Sequence, residues 1–270
     1  MVTRNSLENK LAVVIGAGSI GPGWGNGKAI ATLFAREGAT AVCVDREPAA
    51  CAETVDIIRA EGGKAEHRVA DASKAADIEA LIAEVTRDHG RIDVLVNNVG
   101  IAEVGGVTDV TEEDWDRVFA VNLKSCFFAM KYAIPGMRDC GGGSIINISS
   151  IASIRYLGVP YVTYAASKAA MNQMTRTTAL QYAPDHIRVN CILPGLIKTP
   201  MVQKSSGLAA AYGRGDVEAM WRARDAQCPM GHMGTAWDVA EAALFLAGDG
   251  SGYVTGLELV VDGGITLKTG

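Results

Sequence analysis

Residues 11–45 read LAVVIGAGSIGPGWGNGKAIATLFAREGATAVCVD. An apolar strand, LAVVI (11–15), runs into Gly16-Ala17-Gly18-Ser19, then IGPGW, then Gly25-Asn26-Gly27-Lys28, which opens a helix carrying Ile30, Leu33 and Phe34. A second strand, AVCVD (41–45), closes the unit. Glycines in the first strand-to-helix turn let the backbone approach a pyrophosphate, whose charge meets free N–H groups and the positive end of the helix. Asp45 ends the second strand about twenty residues beyond the glycines, where a carboxylate accepts both ribose hydroxyls of NAD and repels the 2'-phosphate of NADP. Arg46 follows directly and is a potential phosphate partner, and Asp45 also reads as an ordinary strand-end turn residue.

Outward from this unit, the same alternation continues along the chain. Further strands are expected at EHRVAD (66–71), IDVLVN (92–97), SIINIS (144–149), RVNCIL (188–193) and LELVVD (257–262). Helical periodicity lies between them, as over 74–89, where Ile78, Leu81, Ile82 and Val85 repeat at i, i+3, i+4 and i+7. Gly38, Gly62 and Gly90 follow three helices where a left-handed cap is wanted. Strand, helix, strand repeated in this way predicts an α/β fold: a doubly wound, seven-stranded parallel sheet covered by helices on both faces. No linker or repeat divides the chain, so residues 1–270 are expected to form one domain. Residues 200–232, rich in Met, Gly, Ala and charge, break the rhythm and read as a lid over a site.

The 270 residues are 49% hydrophobic, enough for a substantial core, with a formal net charge of -5. No basic run stands out, so neither nucleic acid nor an anionic membrane surface is an expected partner. The six cysteines show no C-x-x-C spacing and no pairing with the four histidines, so they read as reduced, packed thiols with no metal. His232, alone in GHMG, reads as a cap or a contact with a neighbouring chain. The polar start MVTRNSLENK reads as neither signal peptide nor transmembrane span, and a cytoplasmic location is expected.

Chemistry is carried by Tyr164 and Lys168, four positions apart in TYAASK, with Ser150 fourteen positions before the tyrosine. On a helix i and i+4 share a face, so Lys168 is expected to bring its charge beside the Tyr164 hydroxyl. A free tyrosine has a pKa of ~10, and lowering it by roughly three units takes about 4 kcal/mol, within reach of a close cation in a partly dry cleft. A Y-x-x-x-K pair alone also occurs on solvated helix faces.

From Leu11 to Gly264 the chain resembles the short-chain dehydrogenase/reductase family, a Rossmann-fold family. The matching pieces are the glycine turn, Asp45, Asp71 after the third strand, NNVG (97–100), Asn122 in VNLK, Ser150 in NISS, TYAASK, PGLIKT (194–199) and the closing VDGG. The resemblance implies that Asn122, Ser150, Tyr164 and Lys168 are catalytic. Asn122 would bend its helix and hold a water linked to Lys168, Ser150 would hydrogen-bond the substrate oxygen, and Tyr164 would move the proton. It implies a cofactor site of Gly16, Gly18, Ser19, Gly25, Asn26 and Gly27 at the turn, with Asp45, Asp71 and Ala72 around the adenosine. Asn97, Asn98 and Gly100 would line the cofactor beyond the fourth strand. Tyr164 and Lys168 would contact the nicotinamide ribose, and Pro194, Gly195, the Ile197 backbone and Thr199 would lie around the carboxamide. Asn97 and Asp71 also read as strand-end groups, and Thr199 as a helix N-cap before Pro200.

Two departures from the family pattern stand out. Eight residues separate Gly16 from Gly25 where three are usual, as though Ile20 to Trp24 had been inserted. That loop is expected to bulge over the diphosphate, with Trp24 covering the cofactor or packing on the next helix; a cradle shifted to other glycines is the alternative. Valine also stands at 99 in place of alanine, and a small packing adjustment is expected.

Substrate contacts implied by family position are Ala152, Ser153, Tyr156, Tyr161, Leu196, Met201 and Trp221. Mostly apolar or aromatic, they favour an uncharged alcohol over a phosphorylated sugar, although Tyr156 and Trp221 read equally as packing residues. The expected activity is reversible hydride transfer between NAD and a secondary alcohol or ketone, with NADP the less favoured cofactor. Alternatives are an NADPH-dependent 3-oxoacyl thioester reductase and a non-catalytic nucleotide-binding protein. The resemblance also implies a homotetramer.

Overall fold

The computed structural model describes residues 6–204 and 216–268. Seven strands form one parallel sheet: β1 Leu11–Ile15, β2 Thr40–Asp45, β3 Lys64–Val69, β4 Val94–Asn97, β5 Gly143–Ile148, β6 Ile187–Pro194 and β7 Glu258–Val261, in the order β3-β2-β1-β4-β5-β6-β7. The strand order reverses direction between β1 and β4. In open α/β sheets a crevice opens at that reversal, outside the carboxyl ends of the strands.

Helices cover both faces because the strands are apolar on both. Along β1, Ala12 and Val14 belong to one core with α1 (Asn26–Arg36), α2 (Pro48–Ala60) and a late helix at Ala236–Ala247. Leu11, Val13 and Ile15 point the other way, into a second core with α3 (Ala75–His89), α5 (Ser125–Asp139) and α6 (Val162–Tyr182). Side chains alternate across a strand with period two, so a continuous apolar run feeds both cores. Before α5 comes α4 (Glu112–Phe119), capped by the Thr111 side chain, which accepts from Asp114 N. After β6 come short α7 (Pro200–Gln203), α8 (Val217–Gln227) and α9 (Ala236–Ala247).

The boundaries differ from expectation where pairing decides them. β3 runs over 64–69 rather than 66–71 because its ladder follows β2, from Thr40 opposite Lys64 to Asp45 opposite Val69. Gly38, Gly62 and Gly90 have φ of 96°, 83° and 75°, the left-handed caps expected. The region expected as a lid contains α7 and α8, and residues 205–215 within it lie outside the described residues. No described helix is long and apolar enough to cross a membrane. Five of the six cysteines are buried, Cys140 is exposed, and none is disulfide-bonded.

Candidate active site

A large cleft lies along the carboxyl ends of the strands, and its walls come from both sides of the β1/β4 reversal. Gly16, at φ 88°, turns the chain out of β1, and its N–H and that of Ala17 both donate to Val44 O, at 2.7 and 2.9 Å. An L side chain is strained at that φ, so glycine is required here. Gly25 is the N-cap of α1 without a capping side chain. Gly27 sits one step into the helix, where an added Cβ would lie 1.9 Å from Gly16 O. Only glycine lets α1 approach the β1 turn this closely, so Gly16, Gly25 and Gly27 carry the turn despite the longer spacing.

The longer loop is tied down on its far side. Trp24 packs on Trp237 of α9, ring centroids 4.6 Å apart, and the Lys28 ammonium lies 5.1 Å from its ring centre. Lys28 is itself buried and paired with Glu53 at 2.6 Å. Trp24 therefore anchors the loop to the neighbouring helix and does not line the cleft. Ile20 does line it, and the Ile20 carbonyl accepts a hydrogen bond from Lys204 at the end of α7.

Asp45 stands at the cleft with both carboxylate oxygens engaged from one side. Oδ2 accepts from Gly18 N at 3.0 Å and Oδ1 from Glu47 N at 3.1 Å. Those bonds fix its orientation and leave lone pairs facing the cleft. Asp71 also lines the cleft, its carboxylate holding the Ser73 amide and hydroxyl at 3.0 and 2.7 Å. The hydrogen bond from the Ser73 hydroxyl, chief among its contacts, holds that carboxyl below its ordinary pKa. Ala72 and Ser19 share this wall.

Asn26 Oδ1 is buried in the cleft wall and has no hydrogen-bond partner, an acceptor aimed at a donor that the protein does not supply. Together with the first-turn N–H groups of α1, unsatisfied within any helix, and the glycine surface around Gly16 and Gly18, it fits a dinucleotide with its diphosphate at the helix start and a hydroxyl on Asn26. Among the described residues no group of three or more His, Cys, Asp or Glu side chains comes together to hold a metal ion.

Beyond β4 the structure separates the two asparagines. Asn97 is buried and donates to Asn147 Oδ1 at 2.9 Å, beneath the sheet end and outside the cleft, which corrects the expectation that it lines the cofactor. Asn98 does line the cleft and donates to Gly16 O at 2.8 Å, joining the two sides of the reversal. Val99 touches this junction: an added Cβ on Gly16 would come within 3.0 Å of its Cγ2.

Ser150, Tyr164 and Lys168 meet in the cleft. Ser150 follows β5, and its Oγ accepts from Ala152 N at 3.1 Å and is hydrogen-bonded to the Tyr164 phenol. Lys168 is buried, and its Nζ donates to Ile148 O at 2.7 Å, with the ammonium 5.9 Å from the centre of the Tyr164 ring. Gly100 covers it: a Cβ there would come within 3.3 Å of Nζ. Burial pulls the Lys168 pKa down to about 8.

Tyr164 departs from expectation. Burial raises its pKa above the ordinary value and the Ser150 hydrogen bond only partly opposes this. The phenol's hydrogen-bond partner is Ser150, while Lys168 spends a bond on a backbone carbonyl. In a partly dry site desolvation outweighs a cation that is not in direct contact.

Asn122 lies in a π-helical turn, Ala120–Lys124, between α4 and α5. Such single π turns often occur at functional sites. Its side chain accepts from Ile101 N at 2.8 Å and donates to Ile101 O at 3.0 Å and to Ser167 Oγ at 3.1 Å. Fully buried and outside the cleft wall, it reaches the site by holding the chain after Gly100 against α6.

After β6, Pro194, Gly195, Ile197 and Thr199 line the cleft. Thr199 occupies the N-cap of α7, yet its side chain makes no capping bond. Of the substrate candidates, Ala152, Tyr161, Leu196 and Met201 line the cleft. Ser153 stands behind the wall, donating to Ser150 O at 2.6 Å. Two candidates are corrected. Tyr156 is exposed away from the cleft, and Trp221 is buried in a small core with Leu196, Val202, Met220, Cys228 and Met233. Lining residues that were not expected include Leu157 and Arg224. Nothing in WRARD marks Arg224, because only the seating of α8 turns it to the cleft. His232 Nδ1 donates to Met233 O, 2.9 Å away, within its own turn.

Comparison with known proteins covers the same span. The sequence model of a family described as enoyl-(acyl carrier protein) reductase matches residues 21–266. The chain is 38% identical over 265 residues to the 3-oxoacyl-(acyl-carrier-protein) reductase FabG of Thermotoga maritima, covering 97% of this chain and 99% of that one. It is 34% identical over 269 residues to the cyclohexanol dehydrogenase of an Acinetobacter strain, covering 99% of each. A crystal structure described as a short-chain dehydrogenase/reductase from Burkholderia xenovorans superposes with a TM-score of 0.93 at 45% identity, covering 98% of this chain and 99% of that one.

Proposed function

This chain belongs to the short-chain dehydrogenase/reductase family of oxidoreductases, and from that premise we propose that it interconverts a secondary alcohol and its ketone with NAD as cofactor. The observation that carries this reading is the meeting of Ser150, Tyr164 and Lys168 in one cleft with the glycine turn and Asp45. Residues at Gly16, Gly18, Ser19, Gly25 and Asn26 would hold the diphosphate and its riboses, Asp45 the adenosine ribose, and Thr199 with the Ile197 backbone the nicotinamide end. When bound, the nicotinamide ring accepts or supplies the hydride and, oxidised, adds positive charge to the site.

The chain's own groups manage the proton. Ser150 donates to the substrate oxygen and keeps it within reach of the Tyr164 hydroxyl. Tyr164 gives its proton to a ketone oxygen as the carbonyl is reduced and takes it from the alcohol in the opposite direction. A phenol held above its ordinary pKa suits the donating direction as it stands. Taking the proton near neutral pH needs added positive charge beside it. Lys168, with a pKa near 8, changes charge in the working range and can exchange a proton with its surroundings. Asn122 fixes the Gly100–Ile101 chain that covers Lys168.

Asp45 underlies the preference for NAD, since a 2'-phosphate would meet a carboxylate already oriented by two amides. A second reading, an NADPH-dependent 3-oxoacyl thioester reductase, draws on Arg46, which also lines the cleft, and on the likeness to the Thermotoga reductase. Fluorescence titration with NADH and NADPH separates the two. NADH is expected to bind at least tenfold more tightly, and the reverse order would favour the second reading. We further propose a homotetramer in the cytoplasm, with α7 and α8 forming part of a lid; sedimentation and solution scattering would test the assembly.

A further inference from the structure

Two serines stand side by side at the end of β5. Ser149 and Ser150 both line the cleft, and both are buried. By residue type either hydroxyl suits a substrate oxygen, and hydrogen-bond direction separates them. Ser150 Oγ accepts from Ala152 N at 3.1 Å and is hydrogen-bonded to the Tyr164 phenol. Ser149 Oγ instead donates to Asn172 Oδ1 at 2.5 Å. Asn172 is 3% exposed and lies on α6 one turn beyond Lys168, so Tyr164, Lys168, Asn172 and Arg176 form one i, i+4 stripe of that helix. The first two of these carry the proton chemistry, and the lower half of the stripe has no role in it so far.

The direction of these bonds is set from outside the cleft. Glu258 on β7 is ion-paired with Arg176, and its side chain is 15% exposed. A carboxylate only accepts, so the amide nitrogen of Asn172 must face it, and Nδ2 donates to Glu258 Oε2 at 3.1 Å. That orientation leaves Oδ1 to accept from Ser149. The second Nδ2 proton goes to Ser153 Oγ at 2.9 Å, and Ser153 Oγ donates to Ser150 O at 2.6 Å. Asn172 therefore holds the chain on both sides of Ser150. Ser149, its one proton directed to Asn172, has none to offer a substrate oxygen.

Resting on the oxidoreductase reading above, we propose that Asn172 and Glu258 are positioning residues for the reaction: Glu258 orients the Asn172 amide, and Asn172 draws the Ser149 hydroxyl away and fixes the Ser150 turn, so that Ser150 alone presents a donor to the substrate oxygen. Neither residue lines the cleft. Both act through Ser150, whose hydroxyl must meet the substrate oxygen and Tyr164 in one geometry. A polar network of this kind is specific because each member has a single assignable direction, and loss of one member frees the rest.

The test measures oxidation of secondary alcohols such as isopropanol and cyclohexanol with NAD, through NADH absorbance, in the intact protein and in N172A, E258L and E258Q. N172A should lower kcat by about 10- to 100-fold, the scale of a misplaced reacting group. KM and NADH affinity should stay within about threefold, since neither residue touches substrate or cofactor. E258L should lower kcat in the same direction, and E258Q, which keeps an acceptor oxygen for the Asn172 amide, should recover part of that loss. The sharpest comparison is a double-mutant cycle: in an S150A background, adding N172A should lower kcat by no more than about twofold, because the group it positions is already gone. Native kcat in N172A, full additivity with S150A, or equal losses in E258L and E258Q with NADH still bound would each overturn this assignment and leave the oxidoreductase reading standing. Should N172A fail to fold, the E258L and E258Q pair decides by the same criterion. No turnover by the intact protein, with NADH bound, would overturn both.

Discussion

The nucleotide end of the cleft and the reaction end are built in opposite ways. The first comes from one continuous unit, β1 to β2, in which Gly16, Gly25, Gly27 and Asp45 lie within 11–45 and are joined by short backbone bonds such as Gly16 N to Val44 O. The second is assembled from β5, α6, α8 and the turn after β6, with residues as far apart as Ser150 and Arg224. The first carries most of the cleft's negative charge and the second only positive charge among the described residues. A local unit can recognise a group common to many proteins, the adenosine diphosphate, whereas an assembled wall can change with every helix that seats against it. Specificity for the substrate is accordingly expected at the assembled end.

Four measurements would break or sharpen that contrast. The largest effect should come from Y164F, which removes the proton carrier and should lower kcat by about a thousandfold, within the range for general acid–base groups. NADH affinity, measured by fluorescence, should stay within about threefold if the two ends act separately. Undiminished turnover in that variant would remove Tyr164 from the chemistry.

Next comes D45A, at the local end. It should shift the NADH/NADPH affinity ratio toward NADPH by about 100-fold, the scale of a like-charge clash relieved, with kcat changed little. A ratio that does not move would deny Asp45 its selecting role.

G27A should act on the fold itself. Its methyl would lie 1.9 Å from Gly16 O, so α1 must shift, at about 2–3 kcal/mol. Urea unfolding would show the loss, and NADH binding should weaken with it. A stability equal to the native protein's would mean that the helix and turn are less tightly fitted than they stand.

The mildest effect is alkaline loss of stability. Burial pushes Cys51, Cys126 and Cys191 up to about 12, from an ordinary 9.0. Each raised pKa gives stability that is fully present below pH 9 and is lost as pH rises toward 12, because the unfolded thiol ionises first. Lys168 works against this: its folded value near 8 lies below the ordinary 10.5, so the cost of burying its charge fades as pH rises between them. Between pH 9 and pH 10 each thiol should cost about 1 kcal/mol, with the lysine offsetting about one of the three. Melting temperature should therefore fall between pH 9 and 10, and C126A, if it packs, should fall less steeply.

Part of this is legible in the sequence alone. The seven strands could be read because each is a short apolar run between helix-period segments, though β3 moved by two residues when its ladder with β2 set the ends. Gly16, Gly25 and Gly27 were legible through the inserted loop, since the two later glycines directly precede and open a helix. Asn97 was misplaced because neighbouring residues on a strand point to opposite sides, and nothing in NNVG tells which asparagine faces the cleft. Trp221 could not be distinguished from a pocket residue, since an aromatic on a helix reads alike whether it faces a core or a cleft.

By itself the sequence determined the parallel α/β architecture, the glycine turn and the Ser150, Tyr164, Lys168 grouping, because period, spacing and residue type are local quantities. The tertiary structure alone decided that Tyr164 bonds Ser150 rather than Lys168, that burial raises the phenol and lowers the lysine, and that Arg224 reaches the cleft. Those depend on desolvation and on the seating of helices distant in the chain, and neither is fixed by spacing along it.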